Sequence, residues 1–134
     1  MKIAYFDCFA GASGDMILGA LLDAGLPIER LRAEIARLHL SYYALEVEKV
    51  VKRGIGGSRA HVVIDPDRRH HPHRRLSHIR EIIEGSDLEG PVKERGMAVF
   101  SRLAEAEARV HRMGVDAVHF HEVGALDAII DVVG

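Results

Sequence analysis

The stretch His119-Phe120-His121-Glu122-Val123-Gly124-Ala125-Leu126-Asp127-Ala128-Ile129-Ile130-Asp131 sets two imidazoles and three carboxylates within thirteen positions. His119 and His121 are two apart, so both rings point to one face if the segment is extended. Asp127 and Asp131 are four apart and share one face of a helix. Gly124 stands between the halves, where a chain turning from strand to helix needs a permissive residue. A strand–turn–helix of this kind offers two nitrogen and up to three oxygen donors, a set suited to a divalent transition metal. Glu122, Asp127 and Asp131 are equally candidates for moving a proton. The competing reading is structural. Two His on a strand can be a half-exposed face, and acids early in a helix answer the macrodipole. Leu126, Ile129, Ile130, Val132 and Val133 would then form the buried face opposite.

A second group lies near the start. Asp7-Cys8-Phe9-Ala10-Gly11-Ala12-Ser13-Gly14-Asp15-Met16 falls where a strand should meet a helix, and α/β folds bind ligands beyond the carboxyl ends of strands. Gly11 and Gly14 allow close approach of backbone to a ligand, Ser13 can cap the helix, and the helix N-terminus favours an anion. No Gly-Lys-Ser/Thr follows, so this is not a P-loop, and the spacing departs from the dinucleotide fingerprint. Asp15 opposes an anion unless a metal bridges the two, and Asp7 with Asp15 could hold a metal instead. A tight turn with a helix cap needs the same glycines and serine. Cys8 reads most simply as a small buried hydrophobe.

The third group is Arg68-Arg69-His70-His71-Pro72-His73-Arg74-Arg75, with His78 just after it. His70, His71 and His73 could hold nickel, zinc or copper. The four arginines disfavour a cation and suit a phosphate-bearing substrate through bidentate contacts. A solvated loop without a role is the alternative. No aromatic residue interleaves the charges, which argues against a nucleic-acid patch.

The elements that must position these groups follow from periodicity. Lys2–Phe6 predicts a buried strand, residues 7–13 a loop, and Gly14–Ala24 a helix ended by Gly25. A second helix spans Pro27–Leu38, with Ile28, Leu31, Ile35 and Leu38 inward. Tyr43, Leu45 and Val47 alternate with Ala44, Glu46 and Glu48 as a strand. Gly54, Gly56 and Gly57 break it, and His61–Ile64 returns as a second strand, through a hairpin or crossover whose loop is too long for a tight turn. Ser77 caps a helix to Glu84. The longest helix, Pro91–Arg112, has a stripe of Val92, Gly96, Val99, Leu103, Ala106, Val110 and Met113 for the core. Ala117–Phe120 is a further strand before the terminal helix. Together these predict an α/β fold, a small layered domain with a central sheet flanked by helices.

The 134 residues suffice for one domain with a sizeable core. A net charge of −2 and 5% aromatic residues exclude a globally basic or base-stacking nucleic-acid binder. One cysteine excludes an internal disulfide and a cysteine-based zinc motif. No apolar run reaches the roughly 20 residues of a membrane span and no signal peptide is visible, so cytoplasm is the default. The last segment, Ala125–Gly134, reads as a helix still in progress, which predicts the first part of a longer protein. Self-association into a homo-oligomer stays open.

Residues Tyr5–Met16, the run His119–Gly134 and the histidine-rich segment between them resemble the LarC family of nickel-insertion proteins. The likeness spans the chain. It implies a CTP-dependent nickel chelatase, a lyase-type cyclometallase that forms carbon–nickel and sulfur–nickel bonds. Its substrate would be pyridinium-3,5-bisthiocarboxylic acid mononucleotide, and its product the nickel-pincer nucleotide cofactor of lactate racemase. Family members are much longer, so CTP and its divalent metal are expected only in the full-length protein, and the fragment alone is expected to be inactive. The histidine tract is shorter here than in relatives and is interrupted by arginines. Given that reaction, residue type and spacing suggest His119 and His121 as transient nickel ligands, with Glu122, Asp127 or Asp131 as a further ligand or the base. The Asp7–Asp15 loop with Arg68, Arg69, Arg74 and Arg75 would receive the nucleotide's phosphate. A non-catalytic nickel-storage module built on His70, His71 and His73 is the alternative, and a nucleotide-binding domain on the first loop a third.

Overall fold

A computed structural model describes residues 3–9, 11–65, 74–120 and 126–134. Helix α1 (Gly14–Asp23) ends as its sequence requires: Gly25 takes a φ of +103°, open to glycine and strained for any residue with a Cβ. Pro27, fixed near −65°, then serves as N-cap of α2 (Ile28–Ala36), which buries Leu31 and Ile35. Strands β1 (Tyr43–Lys52) and β2 (Ile55–Ile64) pair antiparallel from Tyr43↔Ile64 to Lys52↔Ile55. The connection is therefore two residues, shorter than the glycine cluster predicts. Arg53 (φ +53°) and Gly54 (φ +81°) both take the left-handed region, as a type I′ turn demands. Gly56 and Gly57 belong to β2, opposite Val51 and Val50.

The second half comprises β3 (Arg74–Arg75), α3 (Leu76–Glu84), α4 (Gly90–His111), a 3₁₀ turn (Val115–Ala117), β4 (His119–Phe120) and α5 (Leu126–Val133). Strand β3 pairs antiparallel with β4, Arg74 opposite Phe120 and Arg75 opposite His119. The α/β class holds. Its sheet is the long hairpin, with the β3–β4 ribbon separate from it. Of Lys2–Phe6, predicted as a buried strand, the described residues Ile3–Phe6 form no strand and are exposed.

The core gathers Leu18 of α1, Leu31 and Ile35 of α2, Leu45 and Ala60 of the hairpin, Ile79 and Ile83 of α3, and Ile129 and Ile130 of α5. Helix α4 inserts Gly96, Phe100, Ala104 and Ala108. That face is rotated from the predicted stripe: Gly96 is shared and Val92 and Leu103 pack at its margin, but Val99, Ala106, Val110 and Met113 are exposed. The observed face centres on Phe100, wholly buried, with the small Gly96, Ala104 and Ala108 beside it. Among the described residues no helix is long and apolar enough to cross a membrane.

Helix α1 lies directly on β2. A Cβ built on Gly19 would stand 2.4 Å from the Ser58 carbonyl oxygen. Beside it, Asp23 accepts hydrogen bonds from Lys49 Nζ (2.5 Å), Ser58 Oγ (2.7 Å) and the Ser58 N–H (2.7 Å). These donors, Lys49 foremost, hold the Asp23 carboxyl down at about 2. Gly19→Ala should destabilise the chain. Alanine favours the helix by about 1 kcal/mol, but forcing a methyl against backbone costs about 1–3 kcal/mol, and a fixed carbonyl puts the cost at the upper end. A lowered urea midpoint is the expected result; an unchanged or raised one would show that α1 can slide off the hairpin freely.

Candidate functional site

The two acidic groups from opposite ends of the chain meet. Ser13 is the N-cap of α1, yet its hydroxyl donates to Asp15 Oδ1, two residues on, and makes no side-chain cap bond to the helix backbone. Gly14 has no side chain for a specific reason: a Cβ there would lie 2.3 Å from the Asp131 Cβ and 2.6 Å from its Cγ. The first turn of α1 thus presses against the last turns of α5, and the Asp15 backbone N–H hydrogen-bonds the Asp131 carboxylate. Asp127 stands one turn before Asp131 on α5, its Oδ1 accepting the Ala128 N–H at 2.9 Å.

This packing alters Asp131. Partial burial removes water from the carboxylate, and the charges of Asp15 and Asp127 oppose its ionisation. The Asp15 N–H acts the other way but is outweighed. The carboxyl is lifted from 3.8 to about 6. A carboxylate poised there can take and release a proton near neutral pH, as a general base must.

The second cluster lies on the β3–β4 ribbon. Arg75 and His119 are cross-strand partners, and the Arg75 Nε–H donates to His119 Nε2 at 3.3 Å. The guanidinium has no acceptor, so this contact uses the lone pair of His119 Nε2. The Arg75 backbone N–H donates to His78 Nδ1 at 3.3 Å, at the start of α3. Burial pulls the Arg74 guanidinium below its usual pKa range.

Of the residues singled out in the sequence, the fold brings together Ser13, Gly14, Asp15, Asp127 and Asp131, and separately Arg75 and His119. Asp7 and Cys8 are exposed, and Gly11 closes a turn with its N–H on the Cys8 carbonyl (2.9 Å) at a φ of +87°. His121, Glu122, Arg68, Arg69, His70, His71 and His73 fall outside the described residues. Among the described residues, no three His, Cys, Asp or Glu side chains are grouped closely enough to hold a metal ion. His78 is the addition the fold makes to the candidates; its position just after the arginine-rich segment was the available signal.

Residues 4–134 match the family described as "Nickel insertion protein". Relatives named "Putative nickel insertion protein" include those of Geobacter sp. strain M21 (52% identical over 135 residues) and Roseiflexus castenholzii (52% over 133). That of Dictyoglomus thermophilum is 45% identical over 134 residues. No solved structure gives a significant match. The matches cover 99–100% of this chain and 33–34% of each of these relatives, so the chain spans about a third of their length. The chain belongs to the nickel insertion protein family.

Proposed function

We propose that this chain is the N-terminal part of a nickel chelatase that inserts nickel into pyridinium-3,5-bisthiocarboxylic acid mononucleotide. The observation that carries the reading is Asp131, an acid lifted to about 6 where two ends of the chain converge. Forming a carbon–nickel bond at the pyridinium ring means that the ring carbon gives up a proton as nickel takes its place. A carboxylate with that pKa accepts such a proton near neutral pH. The nickel ion is substrate here, and the two thiocarboxylates bring soft sulfur donors of their own. The protein therefore need offer only a transient hold, through His119 and, in the sequence beside it, His121 and Glu122.

Arg75 stands beside His119 and suits the mononucleotide's phosphate, a dianion that a planar guanidinium grips by two parallel bonds. A phosphate that draws Arg75 away would free His119 Nε2 for nickel, coupling substrate binding to metal capture. CTP fits the first loop poorly. Asp15 follows Gly14 where a triphosphate site wants a lysine, so the nucleotide's role belongs to the part of the relatives outside this match.

Nickel-edge X-ray absorption of the chain loaded with one equivalent of nickel in the presence of inorganic phosphate tests the metal side. Imidazole scattering is expected in the wild-type spectrum, with the His119→Ala spectrum losing part of it. A shell of water and carboxylate oxygens alone in both proteins would overturn the assignment.

A further inference from the structure

The segment running into the first loop is the least expected part of the fold. Ile3 is 78% exposed, Tyr5 87% and Phe9 92%, with Phe6 also open to solvent. No residue from Ile3 to Cys8 is paired in a strand among the described residues. Ile3-Ala4-Tyr5-Phe6 is apolar at consecutive positions, so both faces of the extended chain are greasy. That pattern belongs to a strand covered above and below, as in parallel sheets. Met16 and Ile17 on α1 are exposed as well. Unpaired backbone with large apolar side chains is a template for another strand, and native proteins ordinarily cover it.

We propose that Ile3–Phe9 is an interior strand whose neighbours come from the two thirds of a nickel insertion protein lying outside this match, joined by strand addition. Two arguments select that occupant over a second copy of the chain. Relatives about 50% identical carry roughly twice this length again outside the matched region, which is ample for flanking strands. A second copy pairing edge to edge would add one backbone neighbour and leave both apolar faces uncovered, whereas a strand apolar on both faces needs packed layers above and below it. The consequence is local: Asp7, at the carboxyl end of the strand, is fixed in place only when the sheet is complete. The inference rests on exposure and pairing and stands apart from the proton-transfer role given to Asp131.

Hydrogen exchange followed by mass spectrometry tests it on two proteins, this chain and the full-length Geobacter relative. Peptides covering residues 4–9 should exchange at nearly unprotected rates in this chain. The aligned peptide of the relative should exchange about a hundredfold more slowly or beyond, as for a strand inside a cooperative unit. Equally fast exchange in both proteins would overturn the proposal. So would protection in this chain at all concentrations. Protection that grows with concentration, alongside a dimer in native mass spectra, would overturn it in favour of a second copy.

Discussion

Asp131→Asn should cut nickel insertion by about 10²–10⁴-fold, the range for loss of a general base, while making the chain more stable at pH 7. The assay is product formation with this chain in place of the matching third of the Geobacter relative. The two effects have one origin. Asp131 is lifted from 3.8 to about 6 by burial, then by the charges of Asp15 and Asp127. The folded state therefore binds a proton more tightly than the unfolded chain does. Stability linked to that proton is fully present below about pH 4 and is lost as pH rises through about 6. The lift corresponds to about 3 kcal/mol at most. With the carboxyl only half-buried, solvent screening leaves on the order of 1 kcal/mol. Asn keeps the shape and carries no charge, so its unfolding curve lacks this pH dependence. Urea titrations of both chains should nearly coincide at pH 4 and separate at pH 7, with Asn ahead at the higher pH. An Asn variant that inserts nickel within tenfold of wild type would remove Asp131 from the chemistry. One that is less stable at pH 7 would show that its carboxylate is structurally favoured.

Helix positions were legible in the sequence because their stops are local. Gly25 and Pro27 separate α1 from α2 by backbone preference alone, and Asp127 and Asp131 share a face through spacing alone. What the sequence hid was pairing at a distance. Nothing around Gly14 announces Asp131 as its neighbour, and the glycine serves that contact as much as any approach to a ligand. Cross-strand partnership of Arg75 with His119 is equally silent, because each sits in a strand of two residues. The hairpin turn was misplaced for a physical reason. Three glycines look like one long break, but only Gly54 needs its freedom, with Arg53 accepting a left-handed φ beside it. The predicted first strand has the right composition and lacks partners among the described residues.

Phe100→Ala should be the most damaging single change to the fold. The ring is wholly buried and meets Phe120 edge-on, with centroids 6.4 Å apart and planes at 64°. Truncating a buried Phe costs about 3–5 kcal/mol through lost transfer energy and the cavity left behind. Of this, about 0.5–1.5 kcal/mol is the aromatic pair itself. Against a total stability of about 5–15 kcal/mol, the loss is large, and the melting temperature should fall by roughly 10–20 °C for a domain of this size. Gly96, one turn earlier on the same buried face, carries no side chain that could swing into the gap. Phe120 follows His119 on β4, so a cavity beneath it should loosen the Arg75–His119 pair as well. Calorimetric melting of Phe100→Ala beside Phe100→Leu separates lost volume from the lost ring, with Leu expected to recover most of the deficit. A fall of less than about 3 °C for the Ala variant, about 1 kcal/mol or less, would mean that the α4 face collapses around the gap and that β4 is held by something other than this ring pair.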